Sequence, residues 1–491
     1  MKTVLMIYPK TSLDKVGNSV GLPLSIMHTT SLIPQDKFRV KLIDQRVQKD
    51  WQYVLEKELL NENLLCVGIS TMTGNQITWA IKAAEIIRDK APKVPIVWGG
   101  VHPTLYPEQT SKHPLVDIVV INEADFTFPE LVDALDKNKP LENIKGLCIK
   151  DLNGNIEITS RREFANLDEI PLPQLNLVDN IKPYFLNLYS TKNALSLVAG
   201  KGCPHRCGFC YNIKFNSQKW RALSAKEIVN RMKILIEKGA ESIDIIDDNF
   251  FTSLPRAKEL IELMKKENIK LNLVANCRAD YIARWDAKFL KELYEAGFRE
   301  FFVGIESGNN EMLKHMQKDL TVEQILVANL KLKESGIRPI YSFMAGFPGE
   351  KINQIYDTIS LMIKLLEDNP NISITSLKVY TPFPGSPLYE ECISMGMPIP
   401  KSLEEWSNYH YNSATYSSWR SKKLAKLIEK LSYLTYFIDQ KTMSHHLGGK
   451  NKLLTKVIEL YSRLVLLRAK HNFYVFTPEV FVMKKARDYI E

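Results

Sequence analysis

The chain has 491 residues, 45% apolar and 25% charged, the balance of a globular protein long enough for two or three domains. Lys and Arg outnumber Asp and Glu by 65 to 56, a net charge of +9. That excess forms no dense basic block, so a nucleic-acid partner is disfavoured while an anionic substrate or a membrane surface stays open. Four of the seven cysteines, Cys66, Cys148, Cys277 and Cys392, stand far apart and read as reduced thiols of a reducing cytosol. No run approaches the ~18 apolar residues of a membrane span. Met1-Lys2 leads at once into a short apolar run, unlike a signal peptide, so a cytoplasmic location is expected.

Residues 1–145 alternate short apolar runs with helical patterns. Runs 4–8, 39–43, 65–69, 94–98 and 118–121 read as buried parallel strands, and 77–88 is an amphipathic helix with Ile77, Ala80, Ile81, Ala84 and Ile87 on one side. This predicts an α/β doubly wound sheet of Rossmann-like type, with a ligand beyond the carboxyl ends of its strands. Those ends carry Ser70, Met72, Thr73 and Asn75 after the third strand, Gly99-Gly100-Val101-His102-Pro103-Thr104 after the fourth, and Asn122-Glu123-Ala124-Asp125 after the fifth. Glycines allow close backbone approach, and the hydroxyls and acids can hydrogen-bond a large polar group. Each loop alone is equally an ordinary turn.

Residues 146–192 form a hairpin and linker. Runs 147–150 and 156–158 flank Asn153-Gly154, a strong turn signal, and Pro171, Pro173 and Pro183 punctuate the linker. From 193 to 390 a strand–loop–helix period recurs, with strands at 195–199, 242–246, 271–275, 301–305, 339–344 and 374–379. Ser224 with Glu227 and Thr321 with Gln324 read as capping boxes. Six β/α units are fewer than the eight of a closed barrel.

The first of these strands runs into Gly202-Cys203-Pro204-His205-Arg206-Cys207-Gly208-Phe209-Cys210. Three thiols spaced C-x3-C-x2-C on a loop suit a soft metal centre. Three thiolates hold three irons of a [4Fe–4S] cluster and leave one open, with Phe209 placed to shield it. By spacing alone, a zinc site with His205 as fourth ligand is about as good a reading.

The later strand ends carry Asp247-Asp248-Asn249, then Arg278 with Asp280, then Glu306-Ser307-Gly308, then Gly346-Phe347-Pro348-Gly349. The acids suit an ammonium group or ribose hydroxyls, Arg278 a carboxylate, and the loop at Phe347 a flat ring. The plain alternatives are helix caps for Asp247 and Asp248, and an ion pair with Asp280 for Arg278.

With its aromatic residue before the third thiol, the cysteine run resembles the signature of the radical S-adenosylmethionine (SAM) enzymes. The upstream loops resemble the cobalamin-binding domain that precedes it in one large subfamily, closely at Gly99–Thr104 and more loosely at Asn122–Asp125. Many cobalamin proteins supply an axial His from Asp-x-His-x-x-Gly, but this chain reads Asp44-Gln45-Arg46-Val47-Gln48-Lys49 there. The resemblance implies a cobalamin-type sheet, a partial (β/α)6 barrel over 193–390, and a mostly helical extension over 391–491. It implies a cluster on Cys203, Cys207 and Cys210, SAM against Phe209, Asp247, Asp248, Arg278, Glu306, Ser307 and Phe347, and cobalamin on the loops from Ser70 to Glu123. The expected reaction is reductive SAM cleavage, hydrogen abstraction from an unactivated carbon and methyl transfer to it, fed by an external electron donor of flavodoxin or ferredoxin type. Ring closure or carbon–carbon bond formation on a small molecule or lipid is the alternative, and a non-catalytic cobalamin or metal sensor a distant third.

The tail has an aromatic stretch of Trp406, Tyr409, Tyr411, Tyr416 and Trp419, then helical patterns at 421–439 and 451–469. The last helix is apolar on one side and rich in Lys and Arg, which suits either packing on the barrel or peripheral contact with a membrane.

Overall fold

Two mostly parallel sheets follow one another along the chain, their parallel strands built from the apolar runs named above. The computed structural model describes residues 1–11, 20–151, 153–188, 191–409, 417–439, 452–475, 477 and 480. Tyr411 and Tyr416 lie outside the described residues.

The first sheet comprises β1 (Lys2–Tyr8), β2 (Phe38–Asp44), β3 (Leu64–Ser70), β4 (Ile96–Gly99), β5 (Ile118–Val120), β6 (Leu147–Lys150) and β7 (Ile156–Ile158). Its order is β2-β1-β3-β4-β5-β6-β7, parallel through β5. Strand order reverses between β1 and β3, which opens a crevice at their carboxyl ends. Near-continuous burial of β1 and of the second half of β3 is what helices on both faces of a sheet impose. The hairpin lies at the predicted positions, but it is not a free connector. β6 pairs antiparallel with β5 and extends the sheet.

The second sheet comprises β8 (Leu186–Leu188), β9 (Thr191–Leu197), β12 (Ser242–Ile245), β13 (Asn272–Cys277), β14 (Phe298–Glu306), β15 (Arg338–Ala345), β16 (Ser373–Ile374) and β17 (Lys378–Val379). The order is β16-β15-β14-β13-β12-β9-β8, with β17 also on β15. The sheet stays open, as a partial barrel does. The single sixth strand expected at 374–379 is two short pieces, because β15 pairs first with β16 and then with β17. Between β9 and β12 a two-residue ribbon forms from β10 (Gly200–Lys201) and β11 (Arg221–Ala222). Ser224 caps its helix through the Glu227 amide, and Thr321 with Gln324 forms the full reciprocal box.

The carboxyl-terminal part is helical, with Pro387–Ser394, Leu403–Ser407, Lys422–Leu434 and Lys452–Lys470. No described helix is long and apolar enough to cross a membrane.

Candidate functional site

The cysteine loop leaves the ribbon at Gly202 and is held on both sides of Gly208, whose amide donates to the Met316 carbonyl (2.7 Å) and whose carbonyl accepts from Leu388 (2.8 Å). Cys207 is buried, and Cys203 and Cys210 are half-buried; all three are free thiols. Burial raises the Cys203 thiol and pushes Cys210 up to about 12, so this apolar lining favours thiolates only with a cation bound. Two sulfurs already accept from protein donors, Cys203 Sγ from Asn249 Nδ2 and Cys207 Sγ from Arg278 Nη1, both at 3.8 Å. Such bonds are the outer contacts that tune cluster sulfurs. The zinc reading needs His205, but its Nε2 lies 2.8 Å from the Tyr281 hydroxyl. No three His, Cys, Asp or Glu side chains among the described residues gather closely enough for a single ion.

Around the thiols stand the predicted strand-end residues, in two groups. Asp248 is exposed, with one carboxylate oxygen accepting from the Gly202 amide at 2.9 Å, which leaves the other oxygen for a ligand. Glu306 adopts φ +71°, where a side chain other than glycine's is strained. A bulge in the β14–β15 register precedes it, and its carboxylate folds back against Gly304, where a Cβ would collide with it. Its Oε1 pairs with Lys318 Nζ at 3.0 Å, both side chains nearly buried. Lys318 Nζ also sits 5.4 Å from the Phe209 ring centroid. Phe209 approaches Phe347 at 6.1 Å, and Phe347 stacks on Tyr380 at 4.6 Å.

The second group spends most of its polar atoms on the protein, with Asp247 Oδ2 alone buried without a hydrogen-bond partner among the described residues. Asp247 is buried and its Oδ1 accepts from the Ala199 amide at 2.7 Å; the following helix is capped by Ser253 instead. Arg278 Nε donates to Asp280 (2.7 Å) and its Nη2 to the Lys318 and Asp319 carbonyls (2.6 and 3.3 Å). With Nη1 on Cys207, this guanidinium ties the cysteine loop to the Lys318 turn. The ion pair with Asp280 that the sequence allowed is present, but inside the protein rather than on its surface. Ser307 Oγ lies 3.3 Å from Thr358 Oγ1 and accepts from the Asn309 amide.

Three contributors were not assigned to the site from sequence, although Trp419 was noted in the aromatic stretch of the tail. Lys318 sits in a loop with no motif to mark it. Arg420, from the extension, donates to the Gly346 and Tyr380 carbonyls, both at 2.6 Å. Trp419 Nε1 adds a bond to the Gly346 carbonyl at 3.2 Å. Beneath the same turn, Glu350 accepts from the Gly346 and Phe347 amides.

In the first sheet the loops converge at the β1/β3 crevice. A small pocket of about 40 Å³ is lined there by Met6, Gly68, Ser70, Gly99, Gly100 and Phe128, among others. Gly100 has φ +101°, and a Cβ on it would stand 2.5 Å from the Thr71 carbonyl oxygen, so only glycine fits. Ser70 Oγ meets Ser25 Oγ at 3.3 Å, and exposed Met72 bonds through its amide to Gln76. Asn75 opens the helix Asn75–Lys90. Thr104 Oγ1 bridges the Gly100 carbonyl and the Asn122 amide, and Pro103 is buried beside it. His102 is fully buried and burial pulls it down to about 3, so the ring is neutral. Its Nδ1 is 3.1 Å from Thr73 Oγ1, while Nε2, like the buried Thr71 Oγ1, has no hydrogen-bond partner among the described residues. The glycines of this pocket allow close approach of a ligand, and the orphaned His102 Nε2 and Thr71 Oγ1 lie on the same two loops that carry Gly100 and Ser70.

The two sites are joined. Glu123 accepts two bonds from Arg221 of β11, each 2.8 Å, and Asp125 pairs with Lys201 of β10 at 3.0 Å. Across the seam Tyr106 meets Tyr389 hydroxyl to hydroxyl at 2.8 Å. Trp406, from the extension, donates to Gln109 (2.7 Å) and lies 5.4 Å from the His102 ring.

Comparison with known proteins agrees with this layout. The family model for the B12 binding domain matches residues 16–132, and that for the radical SAM superfamily matches residues 197–362. An uncharacterised methyltransferase of Pyrococcus horikoshii is 28% identical over 449 residues, 90% of this chain and 94% of the relative. The anaerobic magnesium-protoporphyrin IX monomethyl ester cyclase of Synechocystis is 27% identical over 358 residues, 70% of this chain and 68% of the relative. The structure of the cobalamin-dependent SAM radical enzyme OxsB, with aqua-cobalamin and SAM bound, superposes with a TM-score of 0.78 at 19% identity, covering 99% of this chain and 75% of that one. The fold is thus shared over nearly the whole of this chain. The chain belongs to the radical SAM enzymes that carry an amino-terminal B12-binding domain, and its cofactors are a [4Fe–4S] cluster, SAM and cobalamin.

Proposed function

We propose that this enzyme methylates an unactivated carbon of a small molecule. The carrying observation is the seam in which Arg221 and Lys201, flanking the cysteine loop, pair with Glu123 and Asp125 of the first sheet's fifth loop. It holds the thiol loop beside the glycine-walled pocket, as transfer between two cofactors requires. When bound, the cluster and SAM supply a hydrogen-abstracting radical and cobalamin supplies the methyl group.

The chain's residues do the rest. Cys203, Cys207 and Cys210 ligate the cluster, and Asn249 and Arg278 hydrogen-bond two of those sulfurs. Asp248 and the Glu306–Lys318 pair bind the polar groups of SAM, and Phe209 with Phe347 keeps water from the cluster face. Asp247 and Ser307 position backbone without touching SAM. Ser70, Met72, Thr73, Asn75, Gly99, Gly100, His102, Pro103 and Thr104 line the cobalamin side, and Glu123 fixes the seam. A hydrophobic or lipid-like substrate, an external one-electron donor of flavodoxin or ferredoxin type and peripheral membrane contact through the last helix complete the reading. The cyclase among the relatives favours ring closure as the second reading.

The test is anaerobic reconstitution with iron, sulfide and hydroxocobalamin, then SAM and dithionite. About four irons and about one cobalt per chain, with both 5′-deoxyadenosine and S-adenosylhomocysteine formed, is the expected result. Iron with 5′-deoxyadenosine but no cobalt would sink methyl transfer and promote the cyclase-like reading. Zinc in place of iron would sink both.

A further inference from the structure

Helix Lys452–Lys470 has two apolar sides. Ile458, Val465 and Ala469 are buried with Ser462 against the barrel, and Tyr461 packs edge-on to Phe437 at 4.6 Å. On the other side Val457, Leu460, Leu464 and Leu467 are 56%, 71%, 42% and 57% exposed. Their spacing of three, four and three residues makes one continuous stripe. Beyond the helix end, Phe473 and Val475 are also exposed, at 52% and 81%. A stripe of this size is more than the scattered exposure of apolar residues that every surface shows.

Charge says what it faces. The helix holds five Lys and Arg against the single Glu459, and exposed Lys456 and Arg463 border the stripe. A groove opens between this helix and Ile352–Asp368, with Leu366, Ile438 and Leu466 along it and Arg463 and Lys470 at its edge. Lys470 there also pairs with Glu367 at 2.7 Å.

We propose that this side of the helix docks onto an anionic lipid surface, apolar stripe inserted and cations over the headgroups. The proposal rests on the reading of a hydrophobic substrate and deepens it by naming the surface from which that substrate is reached.

The test is co-sedimentation of the full, reconstituted chain with two kinds of vesicle, phosphatidylcholine alone and phosphatidylcholine with phosphatidylglycerol. Binding should favour the anionic vesicles and weaken in high salt. The exposed-site variants Leu460→Glu/Leu464→Glu and Lys456→Glu/Arg463→Glu should each lose about tenfold in partitioning, with iron content unchanged. The idea is overturned if the wild-type chain ignores both vesicles, or if the variants bind as well as it does. A dimer in solution that the leucine variant turns into a monomer would overturn it too, since a second copy would then cover the stripe. Vesicle binding needs no turnover. Its failure leaves the proposed reaction standing, and a chain that binds vesicles without cleaving SAM fails only the reaction.

Discussion

Arg221 grips Glu123 with two parallel bonds of 2.8 Å, its guanidinium also 4.2 Å from the Phe164 ring. The two residues lie 98 apart in sequence, one on the loop after β5 and the other on the β10–β11 ribbon. With both side chains only 14% and 12% exposed, the pair is a desolvated clamp, and such pairs are costly to break from one side.

Arg221→Ala and Glu123→Ala should therefore each destabilise the protein by about 2–3 kcal/mol, and the double variant by less than their sum. Denaturant unfolding of all four proteins closes the cycle. Strict additivity would mean that the pair carries no coupling across the seam.

Lys318 and Glu306 compensate one another in near-complete burial. Lys318→Met leaves a buried carboxylate on a strained residue and should cost about 3–5 kcal/mol, part of which Glu306→Gln restores in the double variant. Their proposed role adds a second readout. Either single variant should weaken SAM binding by at least about tenfold, roughly 1.4 kcal/mol, while iron content holds. Unchanged SAM affinity would make the pair purely structural.

Gly100→Ala places a methyl group against the Thr71 carbonyl in a backbone conformation that disfavours it. The strain is worth about 1–3 kcal/mol and falls on the loop that carries His102. Reconstituted variant protein should lose cobalt while keeping its iron. Equal loss of both metals would point to general unfolding.

Glu350 has its carboxyl raised to about 7 by burial, which outweighs the Gly346 and Phe347 amides and nearby Arg420. Unfolded, this group gives up its proton near the ordinary carboxyl value; folded, it keeps it to about 7. The native state binds more protons in between, so stability falls as pH rises across that window, by at most about 1.4 kcal/mol per pH unit. Glu350→Gln should flatten this slope. The comparison is chemical unfolding of both proteins from pH 5 to about 7, and parallel slopes would assign the effect to other groups.

The strands were legible because burial on both faces of a parallel sheet demands continuous apolar runs, and those runs stand in the sequence at 4–8, 65–69, 195–199 and 301–305. The cysteine loop was legible because its three thiols lie within eight consecutive residues, where spacing alone points to a metal–thiolate centre. Glycine at position 100 could be read as a close approach, though not as an approach to Thr71. What sequence could not decide is how each polar residue spends its hydrogen bonds. Asp247 and Asp248 are neighbours of one type, yet one is buried on the Ala199 amide and the other faces the site. Arg278 matched a ligand clamp, but its donors go to Asp280, Cys207 and the Lys318 turn. Lys318 and Arg420 reach the site from a loop and from the extension with no motif to mark them, and the aromatic stretch around Trp406 gave no sign of which partner it meets. Periodicity reports burial, a local property. The partner of a charge comes from anywhere in the chain, and only the tertiary structure selects it.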